Sequence, residues 1–137
     1  MIEHVYKNIY LGNRKDASNW ALLASYQIGA LVNCAQELPV ATKQALPYFH
    51  LKIIPGHRFT RDELESLMMF YNTWKHESIL VHCQVGMERS PAVVIAMLVA
   101  MGFSFDYAFE IVHRARTEVK IKIYDSVKES LWEIFGR

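Results

Sequence analysis

Short apolar runs alternate along this chain with longer stretches in which apolar residues recur every third or fourth position. The runs are Asn8-Ile9-Tyr10-Leu11-Gly12, Ala30-Leu31-Val32-Asn33-Cys34, Tyr48 to Ile54, and Ser78-Ile79-Leu80-Val81-His82. Brief runs bounded by turn residues are the pattern of strands buried on both faces of a parallel sheet. Between them, Asp16 to Tyr26 carries Trp20, Leu22, Leu23 and Tyr26 at helical spacings, and Gly29 is placed to end that helix. Thr60 and Glu63 form a capping box ahead of the stripe Leu64, Leu67, Met68, Tyr71 and Trp74. A helix is expected from Ser90 to Met101, stopped by Gly102, and another from its cap at Ser104 through Ala115. Asp125 or Ser126 opens the last, which buries Val127, Leu131, Ile134 and Phe135. Ala35 to Pro47 has two prolines and no period, so it reads as a loop with at most one helical turn. Strands alternating with helices predict an α/β fold: three layers, α/β/α, around a central, mostly parallel sheet.

Composition narrows the picture. The 137 residues can bury a core without disulfides or metals, and no linker or repeat divides them, so residues 1–137 read as a single domain. Fifteen basic residues against fourteen acidic leave a formal charge of +1. That balance offers no footprint for nucleic acid or a membrane surface, so anion recognition must be local. The start Met1-Ile2-Glu3-His4 lacks the regions of a signal peptide, and the apolar run Ala92 to Met101 is too short to span a bilayer. Two cysteines far apart, Cys34 and Cys83, fit a reduced protein, and the expectation is a cytoplasmic monomer.

The candidate chemistry lies in Ile79-Leu80-Val81-His82-Cys83-Gln84-Val85-Gly86-Met87-Glu88-Arg89-Ser90. A cysteine stands at the end of a buried strand, and after five intervening residues an arginine opens a helix. A helix N-terminus supplies unpaired N–H groups and the positive end of a dipole, which together bind an anion. A short loop curled over it turns further N–H groups inward as a nest, and Gly86 gives the backbone freedom to curl. Arg89 adds a planar fork matching two phosphate oxygens. Helix termini and cations also favour a thiolate over a thiol, which makes Cys83 a ready nucleophile beside the bound anion. Ser90 is placed to donate a hydrogen bond to that sulfur, and His82 to orient the loop.

His82-Cys83-Gln84-Val85-Gly86-Met87-Glu88-Arg89-Ser90 resembles the His-Cys-x-x-Gly-x-x-Arg-Ser signature of protein tyrosine phosphatases, closest to their small dual-specificity branch. Ile9-Tyr10-Leu11-Gly12, Gly29-Ala30-Leu31-Val32-Asn33-Cys34 and Gly102-Phe103-Ser104 with Ala108 are similar to further segments of that branch. The resemblance implies a cysteine-dependent phosphatase of phosphotyrosine, and of phosphoserine and phosphothreonine, in protein substrates. Cys83, Arg89 and Ser90 would be catalytic. Gln84, Val85, Gly86, Met87, Glu88 and Arg89 would hold the phosphate or another oxyanion, with no cofactor and no metal.

The pattern is departed from at the general acid and, within the loop, at Glu88, which sets a carboxylate next to Arg89. The family sets an aspartate general acid just after a strand ending Ile-Pro, and here Ile53-Ile54-Pro55-Gly56-His57-Arg58-Phe59 puts Arg58 there. Arginine gives up no proton at neutral pH. His57 and Asp62 are the substitutes within reach, and a site with no dedicated acid is the third reading. Glu88 is expected to brace the loop or Arg89, Cys34 to be a small core residue or a disulfide partner for oxidised Cys83, and Arg114, Arg116, Lys120 and Lys122 to form a solvated basic face. Two other functions compete. A phosphate-binding module without turnover would explain the missing aspartate, and a rhodanese-like sulfur carrier also uses a cysteine in an anion-binding loop.

Overall fold

Strands β1 (Glu3–Tyr6), β2 (Ile9–Gly12), β3 (Ile28–Ala35), β4 (Tyr48–Ile53) and β5 (Ser78–His82) form one sheet in the order β1-β2-β5-β3-β4. They come from a computed structural model that describes residues 1–37, 46–116 and 120–137. Most of the loop expected between Ala35 and Pro47 lies outside the described residues. The strands β2, β5, β3 and β4 pair in parallel, while β1 folds back antiparallel on β2. Strand β1 is absent from the sequence expectation. Its four residues pair only with β2 at the sheet edge, so the run is too short and too one-sided to stand out.

Parallel pairing requires crossovers, and helices supply those from β2 to β3 and from β4 to β5. The helices are α1 (Arg14–Ser18), α2 (Trp20–Ser25), α3 (Arg61–Trp74), α4 (Arg89–Ala100), α5 (Phe105–Ala115) and α6 (Asp125–Phe135). The single helix expected over Asp16 to Tyr26 is thus two. Asn13 and Asp16 make a capping box that starts α1 early. Asn19 then takes an extended conformation and its side chain accepts from the Leu22 N–H, opening α2. A short polar side chain that bonds nearby backbone competes with helix continuation, so Asn19 is a break. The turn into β3 is made by Gln27 at φ 57°, and Gly29, expected as the stop, lies inside the strand.

Alternation along the strands sends side chains to two cores, as a central sheet covered on both faces requires. Ile9, Leu11, Ala30, Val32, Cys34, Ile79, Val81 and Cys83 share the larger one with α4, every residue of which from Ser90 to Val99 is buried. Leu31 and Leu80 point the other way, onto Ala17 and Leu23 of α1 and α2. Burying those two faces holds the carboxyl end of β5 between α1 and α4, and it is there that the chain turns at Cys83. In open α/β sheets, ligands bind at the carboxyl ends of the strands. Among the described residues no helix is long and apolar enough to cross a membrane.

Candidate active site

The β5–α4 loop closes on the sulfur of Cys83. The Gly86 N–H donates to Sγ at 3.2 Å, and Ser90 Oγ lies 3.3 Å from it, within the first turn of α4. Cys83, Ser90 and His82 are all buried. Burial pushes the His82 imidazole down to about 4, and its Nδ1 reaches the Cys83 carbonyl at 3.4 Å. The imidazole is held beside the backbone of the loop, and the burial that disfavours its protonation makes it a poor base.

The loop is held from outside by its carbonyls. The Arg14 N–H donates to the Gln84 carbonyl at 3.2 Å and the Lys122 N–H to that of Met87 at 2.9 Å. Arg116 Nε donates to the Gly86 carbonyl at 3.0 Å. In a trans peptide the N–H points opposite to the C=O it is bonded to. Fixing those carbonyls outward therefore turns the N–H groups of Val85, Met87 and Glu88 inward, to the side on which Gly86 already meets the sulfur. Inward N–H groups so arranged are able to receive an anion. Gly86 sits at φ 84°, and a Cβ there would run into the Arg116 guanidinium and approach the Gly12 carbonyl to 2.9 Å. The loop opens on a cavity of about 150 Å³ lined by Pro55, Cys83, Val85, Met87, Glu88 and Arg89.

Arg116 corrects the expected basic face. Arg114, Lys120 and Lys122 are exposed, but Arg116 is buried, and its Nη1 donates to the Met1 carbonyl and to Glu3 Oε1, both at 2.8 Å. A lone arginine in a basic stretch carries no local sign of this, because its partners come from β1 and the loop.

Arg89 is also held. Nη1 donates to Glu37 Oε1 at 2.6 Å and Nη2 to Oε2 at 2.9 Å, with the Ile53 carbonyl 3.5 Å from Nη1. The hydrogen bond from Arg89 holds the Glu37 carboxyl down to about 2. Glu37 lies two residues beyond β3, and sequence reasoning missed it. Bracing of Arg89, expected of Glu88, falls to Glu37. Glu88 is instead the N-cap residue of α4, makes no capping hydrogen bond with its side chain, and lines the cavity.

The acid candidates separate. Arg58 turns away to α6, donating to Glu129 at 3.3 Å and Glu133 at 2.6 Å. Asp62 is exposed in the first turn of α3, since the Thr60–Glu63 capping box points the residues between them outward. The His57 Nε2 meets the Glu63 carboxylate at 2.9 Å, and the residue lines a smaller neighbouring cavity together with Glu88, Arg89 and Tyr124. Cys34 lies on β3 just beyond Asn33, which pairs with His82, so the register brings it level with Cys83. Both thiols are free, and burial pushes that of Cys34 well up, with Cys83 adding to the effect. Among the described residues no three His, Cys, Asp or Glu side chains converge to hold a metal ion.

Known proteins resemble this arrangement. Residues 9–134 match the family model of the dual specificity phosphatase catalytic domain. Protein phosphatase Slingshot of Drosophila melanogaster is 26% identical over 126 residues, which are 85% of this chain and 12% of that protein. Dual specificity protein phosphatase 5 of Rattus norvegicus is 30% identical over 117 residues, 81% of this chain and 30% of that one. The chain thus spans well under half the length of these curated relatives. Among solved structures, a mouse putative dual specificity phosphatase complexed with zinc tungstate superposes with a TM-score of 0.86 at 23% identity, covering 98% of this chain and 86% of that chain. Human DUSP28 superposes with a TM-score of 0.80 at 20% identity, covering 98% and 93%. At these identities the structural likeness speaks for the fold.

Proposed function

This chain belongs to the dual specificity phosphatase catalytic-domain family, and on that premise we propose that it hydrolyses phosphotyrosine, and also phosphoserine and phosphothreonine, in proteins. The phosphoryl group sits in the nest of N–H groups from Val85 to Glu88, with Arg89 on its outer oxygens. The Cys83 thiolate attacks phosphorus, the S–P bond forms as the ester P–O bond breaks, and the leaving oxygen takes a proton from the His57 imidazolium, which regains it from the water that attacks in the second step. Water then attacks the phosphocysteine, releasing inorganic phosphate and returning the thiolate, to which the Ser90 hydroxyl donates. Preorganised donors aimed at the phosphoryl oxygens contribute most of the rate in such transfers. The observation that carries this reading is the outward binding of the Gln84, Gly86 and Met87 carbonyls around a buried sulfur. The tungstate in the mouse structure, an oxyanion of phosphate's shape, supports it.

One observation favours a second reading, a phosphate-binding module without turnover: Arg58 stands where the acid belongs and faces α6. Steady-state hydrolysis of 4-nitrophenyl phosphate separates the two. The wild type should turn over and Cys83→Ser should not, while both bind inorganic phosphate by calorimetry. An inactive wild type that binds phosphate establishes the module, and a Cys83→Ser protein with substantial activity rules out the covalent route.

A further inference from the structure

The leaving oxygen departs from the face of phosphorus opposite the attacking sulfur, so its proton must come from outside the loop that holds the phosphoryl group. The segment after β4 borders that side. Pro55 lines the cavity over Cys83, and His57 lines a cavity of about 10 Å³ that shares Glu88 and Arg89 with it. The backbone of this segment is pinned to α6: Ser126 Oγ donates to the Gly56 carbonyl at 2.7 Å, and the Phe59 N–H donates to Ser130 Oγ at 3.0 Å. The His57 ring is fixed separately. Its Nε2 lies 2.9 Å from Glu63 Oε2 and 3.0 Å from Oε1, and Oε1 also accepts the Thr60 N–H at 2.8 Å. A carboxylate only accepts, so this contact puts a proton on Nε2. The bond made by one imidazole nitrogen decides the state of the other. Nδ1 has no hydrogen-bond partner among the described residues. No buried side-chain nitrogen or oxygen lacks one, so Nδ1 is open to its surroundings.

We propose that Glu63 is a positioning residue for proton transfer: by holding the Nε2 proton of His57 it leaves Nδ1 as the nitrogen that protonates the leaving oxygen. The proposal rests on the reading of His57 as the acid given above. The imidazolium passes its Nδ1 proton to that oxygen as the P–O bond breaks, and takes one back at the same atom from the water of the second step. The Nε2 proton stays on Glu63 throughout. A ring without this clamp would turn either nitrogen to the substrate, and a displacement of an ångström is enough to cost about 10²-fold in rate. Glu63 also completes the capping box that opens α3, a position that glutamine fills as glutamate does. One substitution therefore separates the cap from the clamp. In Glu63→Gln, with the amide oxygen kept on the Thr60 N–H, the NH2 group takes the place of Oε2. It donates, so the ring must offer it a bare Nε2 and carry the proton on Nδ1 instead. A carboxylate that held the ring back from the substrate would use the same atoms, but its removal would act with the opposite sign.

Glu63→Gln should lower kcat/KM for a phosphotyrosine peptide about tenfold and leave that for 4-nitrophenyl phosphate within about twofold, since the latter's leaving group needs no proton. His57→Ala should show the larger selective loss, and Glu63→Gln should add little to it in the double variant. Nitrogen NMR of the neutral His57 ring should find the proton on Nε2 in the wild type and on Nδ1 in Glu63→Gln, a change that a purely structural cap would not produce. Faster phosphotyrosine turnover in Glu63→Gln would overturn the proposal in favour of restraint. Unchanged kinetics, an unchanged tautomer, a loss shared equally by both substrates, or a loss that simply adds to that of His57→Ala would overturn it too. If His57→Ala itself shows no selective loss, the assignment of His57 as the acid fails, whatever the Glu63 variant does.

Discussion

Replacing Arg116 by methionine tests whether the phosphate loop is held from behind. The side chain is 1% exposed and gives three hydrogen bonds, to the Gly86 carbonyl, the Met1 carbonyl and Glu3, whose own side chain is 9% exposed. Removing one partner of a buried ion pair costs about 3–5 kcal/mol, because the other charge stays behind in a poor solvent. In a domain of this size that lowers the melting temperature by roughly 10–15 °C. The Gly86 carbonyl also loses its anchor, so the peptide that turns the Met87 N–H inward is free to rotate. A loss of about 10²-fold in kcat/KM should follow, measured well below the unfolding temperature. The double variant Glu3→Met/Arg116→Met then separates the effects. Replacing the whole pair by apolar groups should return most of the stability in urea unfolding. It should not return the activity, since no donor reaches Gly86. A cost below about 1 kcal/mol for Arg116→Met, or a double variant that regains rate together with stability, would refute the anchoring argument.

Two further outcomes are expected. His82 has a folded pKa of about 4 against an ordinary value of 6.5, so below neutrality the unfolded chain binds a proton that the fold refuses. The stability is complete above the unfolded value and is lost as pH falls toward 4; His82 should account for about 2 kcal/mol of the decline between pH 7.5 and 5, and urea midpoints in His82→Gln should show a flatter slope there. On the leaving group, Asp62→Asn should leave phosphotyrosine turnover within about twofold, whereas His57→Ala should slow it by about 10²-fold and spare 4-nitrophenyl phosphate, whose leaving group needs no proton. A selective loss in Asp62→Asn instead would mean that the exposed first turn of α3 moves onto the site.

The four parallel strands, the main helices and the loop after β5 are legible in the sequence because each is written in neighbouring residues. A buried strand needs only its apolar run. The loop is marked by Cys83, Gly86 and Arg89 within one strand-loop-helix unit, although the groups that hold it in shape lie outside that unit. The misread elements are the short edge strand β1, whose run is too brief to stand out, and the first helix, where Asn19 outweighs the apolar period and splits it. The supports of the site lie further off. Glu37 reaches Arg89 across 52 residues and Arg116 reaches Gly86 across 30, while Arg58 is drawn to Glu129 over 71. A charged side chain carries no local mark of its partner, and in sequence it reads as solvated. Only chain closure, driven by burial of the two faces of the sheet, brings these charges together, and of them only Arg116 is shut away from water together with its partner. The sequence alone therefore determined which atoms could do the chemistry. The tertiary structure decided which way they are turned, because orientation is imposed by partners that the chain supplies from elsewhere.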